Sequence, residues 1–295
     1  MQEPSARPTS LGDTVEIAPG VLMPWVGLGT YRSAEGMEVE HEVAWGLELG
    51  YRGIDTASLY GNEEGIGHAL RRAGIPRDDL FIATKVWNSE QGYDTTMQAC
   101  SDSLARLRLD HVDLYLIHWP NPSLMEETWR AMEELHHQGK ARAIGACNFL
   151  VPHLDQLLSF AEVPPAVDQV EHHPRLQQPE LRDFCRDEGI TMQAWAPVMR
   201  GGVYRIPEMV SIGARYGKSA AQVSIRWILQ HGVTTIPKSV HRDRIAENAA
   251  VFDFELTDEE MRVIDSLDTG QRIGPDPVIY ATEGELRQNH ADEPR

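Results

Sequence analysis

The chain has 295 residues, 41% of them hydrophobic and 24% charged, a balance that supports a packed core and excludes a wholly disordered chain. With 45 Asp plus Glu against 27 Lys plus Arg, the formal charge is −18, so nucleic acid and anionic membranes are repelled and an anionic ligand needs a local basic cluster. Cys100, Cys147 and Cys185 lack the number and spacing of a disulfide framework or a thiolate metal site, and no run reaches about 18 consecutive apolar residues. The opening "MQEPSARPTS" has no basic-then-apolar pattern of a secretory signal, so a reducing cytoplasm is the expected setting.

Residues 1–12 and 284–295 are polar and are expected to be a flexible leader and a flexible tail around one domain, 13–283. "TVEIAPGVLMP" reads as a β-hairpin turning at Pro19 and Gly20, placed to cover one end of a core. Eight short strand-like runs follow: "WVGLGT", "YRGIDTA", "LFIATKVW", "VDLYLIHW", "ARAIGACNF", "AVDQVE", "ITMQAWAP" and "VTTIPKS". Between them apolar residues recur at helical spacing, as in Val39, Val43 and Leu47, then Met97, Cys100, Leu104 and Leu107, then Met125, Trp129, Met132 and Leu135.

Helix starts carry their own chemistry. Asn62 before Glu63 and Glu64 suits an N-cap with acids against the dipole, and Ser219 precedes "AAQVSIRWIL". Thr257 and Glu260 form a capping box for a further C-terminal helix, with Leu256 and Met261 spaced as a hydrophobic staple. Alternating strand and helix point to an α/β fold, a (β/α)8 TIM barrel with an N-terminal hairpin and an extra C-terminal helix. An open doubly wound sheet is the competing reading, but "GLGTYRSAEG" lacks the G-x-G-x-x-G phosphate loop such a sheet would carry.

In a barrel the chemistry gathers where strands end at their C-terminal side. There stand Asp55, with Tyr60 just beyond, then Lys85 among apolar neighbours, then His118 before Trp119 and the strand-stopping Pro120. A buried ammonium and a buried carboxylate need each other, so Asp55 and Lys85 pair. A phenol lies about three units above neutrality, about 4 kcal/mol, and an ammonium about 4 Å away is worth about as much at an effective dielectric of about 20. Lys85 is therefore expected to acidify Tyr60 as a proton donor, with His118 orienting a carbonyl. Singly, each has a structural reading: a packing tyrosine, a structural ion pair, a satisfied strand-end histidine.

These motifs, with "GACNF", "VDQVEHHP", "AWAP" and "IPKSVHRDRIAEN" following in order between about residues 14 and 268, resemble the aldo-keto reductases. The resemblance implies NADPH-dependent carbonyl reduction with Asp55, Tyr60, Lys85 and His118 as the catalytic tetrad. It implies that Asn148 and Gln169 hold the nicotinamide carboxamide, that Trp195 stacks on its ring, that Lys238, Ser239 and Arg244 meet the 2′-phosphate, and that Glu247 and Asn248 lie near the adenine. Cys147 and Ala196 stand where relatives usually carry serine, and each change removes or weakens a hydrogen bond of about 0.5–1.5 kcal/mol.

Tyr31, Trp87 and Trp119 read as an aromatic cup for a small apolar or sugar-like carbonyl compound. The tail "GQRIGPDPVIY" is similar to that of bacterial relatives acting on 2,5-diketo-gluconate, methylglyoxal and other small aldehydes. Adjacent His172 and His173 point apart on a strand and do not read as a metal site. A monomer is expected on family grounds. Two other functions compete: a NADP(H)-binding sensor or subunit with little turnover, and an unrelated barrel hydrolase or isomerase using Asp55 and His118.

Overall fold

The computed structural model describes residues 7–279. The hairpin forms as β1 (Thr14–Ala18) and β2 (Val21–Pro24), antiparallel, its turn at Pro19 and Gly20. Eight strands follow: β3 (Leu28–Gly29), β4 (Gly53–Asp55), β5 (Phe81–Val86), β6 (Val112–Ile117), β7 (Ala141–Cys147), β8 (Val167–Glu171), β9 (Thr191–Trp195) and β10 (Thr234–Thr235). Each pairs in parallel with the next in chain order, and each falls inside one of the runs read from the sequence.

Closure depends on a small residue. Gly29 of β3 bridges to Lys238 and Val26 to Thr235, so the first strand meets the last. A Cβ on Gly29 would stand 2.8 Å from the Ile236 carbonyl oxygen, which only a glycine avoids. The glycines of "GLGT" thus seal a barrel seam.

Buried strands alternate between two cores, as a period of two requires. Phe81, Ala83, Leu114, Leu116, Ala143, Cys147 and Val167 face inward and meet Ile17, Val21 and Met23 of the hairpin, which plugs the end where these strands begin. Ile82, Val86, Tyr115, Ile117, Ile144 and Val170 face outward to the helices.

The helical layer is α1 (Met37–Glu48), α2 (Glu63–Ala73), α3 (Tyr93–Leu107), α4 (Met125–His137), α5 (Val151–Leu158), α6 (Pro179–Asp187), α7 (Pro207–Tyr216), α8 (Ala220–Gln230), α9 (Arg242–Ala249) and α10 (Asp258–Asp265). Thr257 closes the expected capping box with Glu260, Ser219 caps α8 as expected and closes a box with Gln222 as well, and Leu256 and Met261 pack on the same core. α10 is the extra C-terminal helix. α7 has no counterpart in the sequence reading, because Pro207 at its first turn and a weakly periodic "PEMVSIGARY" read as connecting chain.

Two expectations are refined. Asn62 stands at the start of α2, but its side chain caps nothing: Oδ1 accepts from Thr56 Oγ1 at 2.8 Å, and Nδ2 donates to the carbonyls of Thr30 and Ser33. Of the expected leader, residues 9–13 are tied by Asp13, whose carboxylate accepts from the Thr9 and Ser10 amides, and Arg7 pairs with Glu255 at 2.6 Å. Residues 1–6 and the expected tail 284–295 lie outside the described residues.

Candidate active site

Asp55 is the last residue of β4, and the chain then bends through a short 3-10 turn, Ser58–Tyr60, that ends at Gly61 in the left-handed region. Asn62 clamps this loop to the loop after β3, which fixes where the Tyr60 ring sits. Lys85, fully enclosed on β5, reaches across. Its Nζ donates to Asp55 Oδ1 at 2.5 Å, to the Thr56 carbonyl at 2.8 Å and to Tyr60 Oη at 3.4 Å. His118, one residue past β6, places its ring 5.5 Å from that of Tyr60, edge to face. The four residues therefore meet at one rim.

The electrostatics correct one expectation. Burial first, and then the negative charge of Asp55, push the Tyr60 phenol well above its usual value. That direction is opposite to the acidification expected from Lys85, whose ammonium is paired with the Asp55 carboxylate. Tyr60 is thus a firmly protonated phenol at neutral pH. Burial, with the Lys85 charge second, pushes His118 well below the usual histidine range, so its imidazole is neutral. Its Nδ1 is buried and closes no hydrogen bond among the described residues.

The next three strands bring a polar relay. Gln169 of β8 donates from Nε2 to Asp55 Oδ2 at 2.7 Å and to Gln193 Oε1 at 2.8 Å. Asn148, in the left-handed region at φ 64°, donates from Nδ2 to the His118 carbonyl at 2.9 Å and accepts on Oδ1 from Trp195 Nε1 at 2.9 Å. Both amides are thus held by protein partners, and a carboxamide would exchange for some of these bonds. Cys147 is a buried free thiol, its Sγ 3.2 Å from Asn148 Nδ2 and 3.7 Å from Gln169 Oε1, where it supplies weak versions of the bonds expected from a hydroxyl. Burial pushes it well up, so it is a thiol and not a thiolate.

The Trp195 indole is backed by the chain after α10. Glu171 Oε1 and Oε2 accept the amides of Ile273 and Gly274 at 2.6 and 3.1 Å, and Oε1 also meets His173 Nε2 at 2.8 Å. A Cβ on Gly274 would stand 2.5 Å from the Trp195 ring. His172 points the other way and stacks on Trp227. Of the aromatic cup, Tyr31 is exposed with its ring 5.0 Å from Tyr60, and Trp87 lies 5.0 Å from His118. Trp119 is 7% exposed, and its backbone carbonyl accepts from Gln91 Nε2 at 2.8 Å.

Lys238 and Ser239 follow β10, half-buried and buried respectively, and Ser239 Oγ accepts the His241 amide at 3.1 Å. α9 starts at Arg242, just after the Lys238–Ser239 loop, with no side-chain cap on its first-turn amides. Arg244 is exposed on it; Glu247 accepts from Tyr204 at 3.2 Å, and Asn248 is buried. Cations beside open helix-start amides are the donor set a phosphate needs, so this end fits the phosphorylated part of a nucleotide. Arg242, the first residue of α9, meets Glu48 at 3.5 Å.

Sequence reasoning passed over Glu171, Tyr204, Gly274 and Glu42. For Glu42 a signal existed: it shares the apolar face of α1 with Val39, Val43 and Gly46, where a carboxylate is out of place. For Glu171 and Gly274 there was none, since they meet across 103 residues.

Comparison with known proteins gives the chain a family. The Aldo/keto reductase family model matches residues 26–269. Glyoxal reductase of Bacillus subtilis (strain 168) is 52% identical over 270 residues, 92% of this chain and 98% of that protein. Methylglyoxal reductase DkgA of Yersinia pestis is 44% identical over 273 residues, 91% of this chain and 98% of that protein. The solved structure of a Bombyx mori aldo-keto reductase in complex with NADP superposes with a TM-score of 0.83 at 34% identity, covering 89% of this chain and 94% of that one.

Proposed function

The chain belongs to the aldo/keto reductase family and is an oxidoreductase that acts on carbonyl groups, and from that premise we propose that it reduces small aldehydes and ketones with NADPH, Tyr60 being the proton donor. The observation that carries this reading is Lys85 Nζ held between Asp55 Oδ1 and Tyr60 Oη, with His118 against the same phenol. When bound, the nicotinamide nucleotide would supply a hydride to the carbonyl carbon.

In this reading Tyr60 keeps its proton until the carbonyl oxygen gains alkoxide character, then gives it up, because an alkoxide is a far stronger base than a phenolate. The Lys85 ammonium lies next to the phenolate that results and stabilises it. Neutral His118 donates to the carbonyl oxygen and orients it. Asn148, Gln169 and the Trp195 face would position the nicotinamide, and Lys238, Ser239 and Arg244 would take the 2′-phosphate, with Glu247 and Asn248 near the adenine. Tyr31 and Trp87 confine a small substrate, for which glyoxal and methylglyoxal are the first candidates, since two relatives are named for them.

Loss of reduced-nicotinamide absorbance with glyoxal, methylglyoxal and 2,5-diketo-gluconate tests the activity. Tyr60→Phe should lower kcat by about 100-fold or more; turnover at the parent rate would overturn the assignment. Lys238→Ala combined with Arg244→Ala should weaken NADPH far more than NADH, and equal weakening would refute the phosphate site. The binding-only alternative predicts little turnover in the first assay. Light scattering reads the expected monomer directly. Among the described residues no helix is long and apolar enough to cross a membrane.

A further inference from the structure

Residues 269–274, just after α10, have no regular structure, yet a row of backbone bonds fixes them on the connection between β8 and α6. The Arg175 carbonyl accepts the amides of Thr269 and Gln271 at 3.2 and 3.0 Å. Glu171, the last residue of β8 and 1% exposed, then takes the amides of Ile273 and Gly274, one on each carboxylate oxygen. Two successive amides need an acceptor with two oxygens, which a carboxylate offers. His173 Nε2 is the third donor, at 2.8 Å from Oε1. Because His173 Nδ1 accepts the Arg175 amide at 3.3 Å, the ring proton stands on Nε2, and the imidazole holds the carboxylate in place.

Gly274, at the end of this row, lies against the Trp195 ring. A Cβ there would stand 2.5 Å from Cη2 and 3.4 Å from Cζ2, on the benzene half of the indole. On the pyrrole half, Nε1 donates to Asn148 Oδ1 at 2.9 Å. One hydrogen bond fixes a point on an indole and leaves the ring free to pivot, since a torsion onto an aromatic ring has broad minima. A second contact on the other half of the ring removes that freedom.

We propose that Glu171 is a positioning residue for the reduction: by fixing the Ile273 and Gly274 amides it seats Gly274 on the benzene half of Trp195, and so sets the plane against which the nicotinamide stacks. In this role it acts only through Gly274 and the ring. The proposal rests on the reading of Trp195 as the nicotinamide platform. Glu171→Gln keeps the size of the side chain but leaves one oxygen for two amides and sets an NH2 group among N–H donors, so the ring loses its second support.

Isothermal calorimetry of NADP+ binding, which needs neither turnover nor a carbonyl substrate, tests this. Glu171→Gln should weaken NADP+ about tenfold, equivalent to about 1.4 kcal/mol. 2′-Phospho-ADP-ribose, with the same adenine and phosphates but no nicotinamide, should bind the variant and the parent alike. Equal weakening of both ligands would make Glu171 a general support of the fold and overturn the proposal, as would parent-like NADP+ affinity. A double-mutant cycle isolates the path through the ring: Trp195→Ala should weaken NADP+ on its own, and adding Glu171→Gln should bring no further loss beyond about twofold. A full tenfold further loss in that background would show that Glu171 acts elsewhere, and would also overturn the proposal. Gly274→Ala pushes on the ring from the same side with Glu171 intact, and its loss should likewise vanish in Trp195→Ala. A loss that persists there refutes the path even if Glu171→Gln does not fold. Parent-like NADP+ binding by Trp195→Ala would refute the platform reading itself, and the proposal with it.

Discussion

Replacing Asp55 by Asn separates two roles that the carboxylate plays at once. The Lys85–Asp55 pair is closed at 2.5 Å with side-chain exposures of 0% and 5%, so the substitution strands a buried ammonium with the Thr56 carbonyl, the Tyr60 hydroxyl and a neutral amide as its neighbours. Breaking such a pair costs about 3–5 kcal/mol, because the remaining charge keeps its desolvation penalty without its counter-charge. At about 2 °C per kcal/mol for a chain of this size, thermal unfolding followed by circular dichroism should move down by roughly 6–10 °C. The same substitution removes the negative charge that, after burial, holds the Tyr60 phenol up. Alkaline titration by tyrosinate absorbance should therefore show Tyr60 ionising at lower pH than in the parent, although the fold is weaker. A loss below about 1 kcal/mol would show that water reaches Lys85. An unchanged or raised phenol would show that Asp55 does not govern Tyr60.

Gly274→Ala brings a methyl to 2.5 Å from the Trp195 ring and 3.1 Å from Glu171 Oε2, and should cost about 1–3 kcal/mol of nucleotide affinity through a displaced indole; unaltered binding in a fluorescence titration would show that the ring is free to yield. Thr257→Ala removes the cap of α10 and should cost about 1 kcal/mol in chemical denaturation, with kcat unchanged. His172 is buried, stacks on Trp227, and is held well below the usual histidine value by burial first and Arg182 next. A base depressed in the folded state stays neutral there while the unfolded chain binds a proton, so stability falls as pH drops below the ordinary value of about 6.5. His172→Phe should retain more stability than the parent as pH falls through that window, by up to about 1.4 kcal/mol for each pH unit, and parallel melting curves would contradict this.

Much of the fold was legible because its signals are local. The capping boxes at Ser219 and Thr257 each lie within four residues, and the eight apolar runs declare themselves by composition alone. The tetrad was legible for a related reason: a lysine inside "LFIATKVW" and an aspartate closing "GID" are out of place in buried strands unless they pair.

The sequence by itself determined the alternation of strand and helix, the hairpin, the polar groups at the strand ends and the basic loop after the last strand, since hydrophobic period and turn chemistry act over a few residues. Tertiary structure alone decided that Asn62 clamps a loop and caps no helix, that burial and then Asp55 raise the Tyr60 phenol, and that Glu171 holds the chain at Gly274. Those outcomes depend on which charge comes nearest and on how much water is excluded. Both are set by residues far apart in the chain, and no local pattern encodes them.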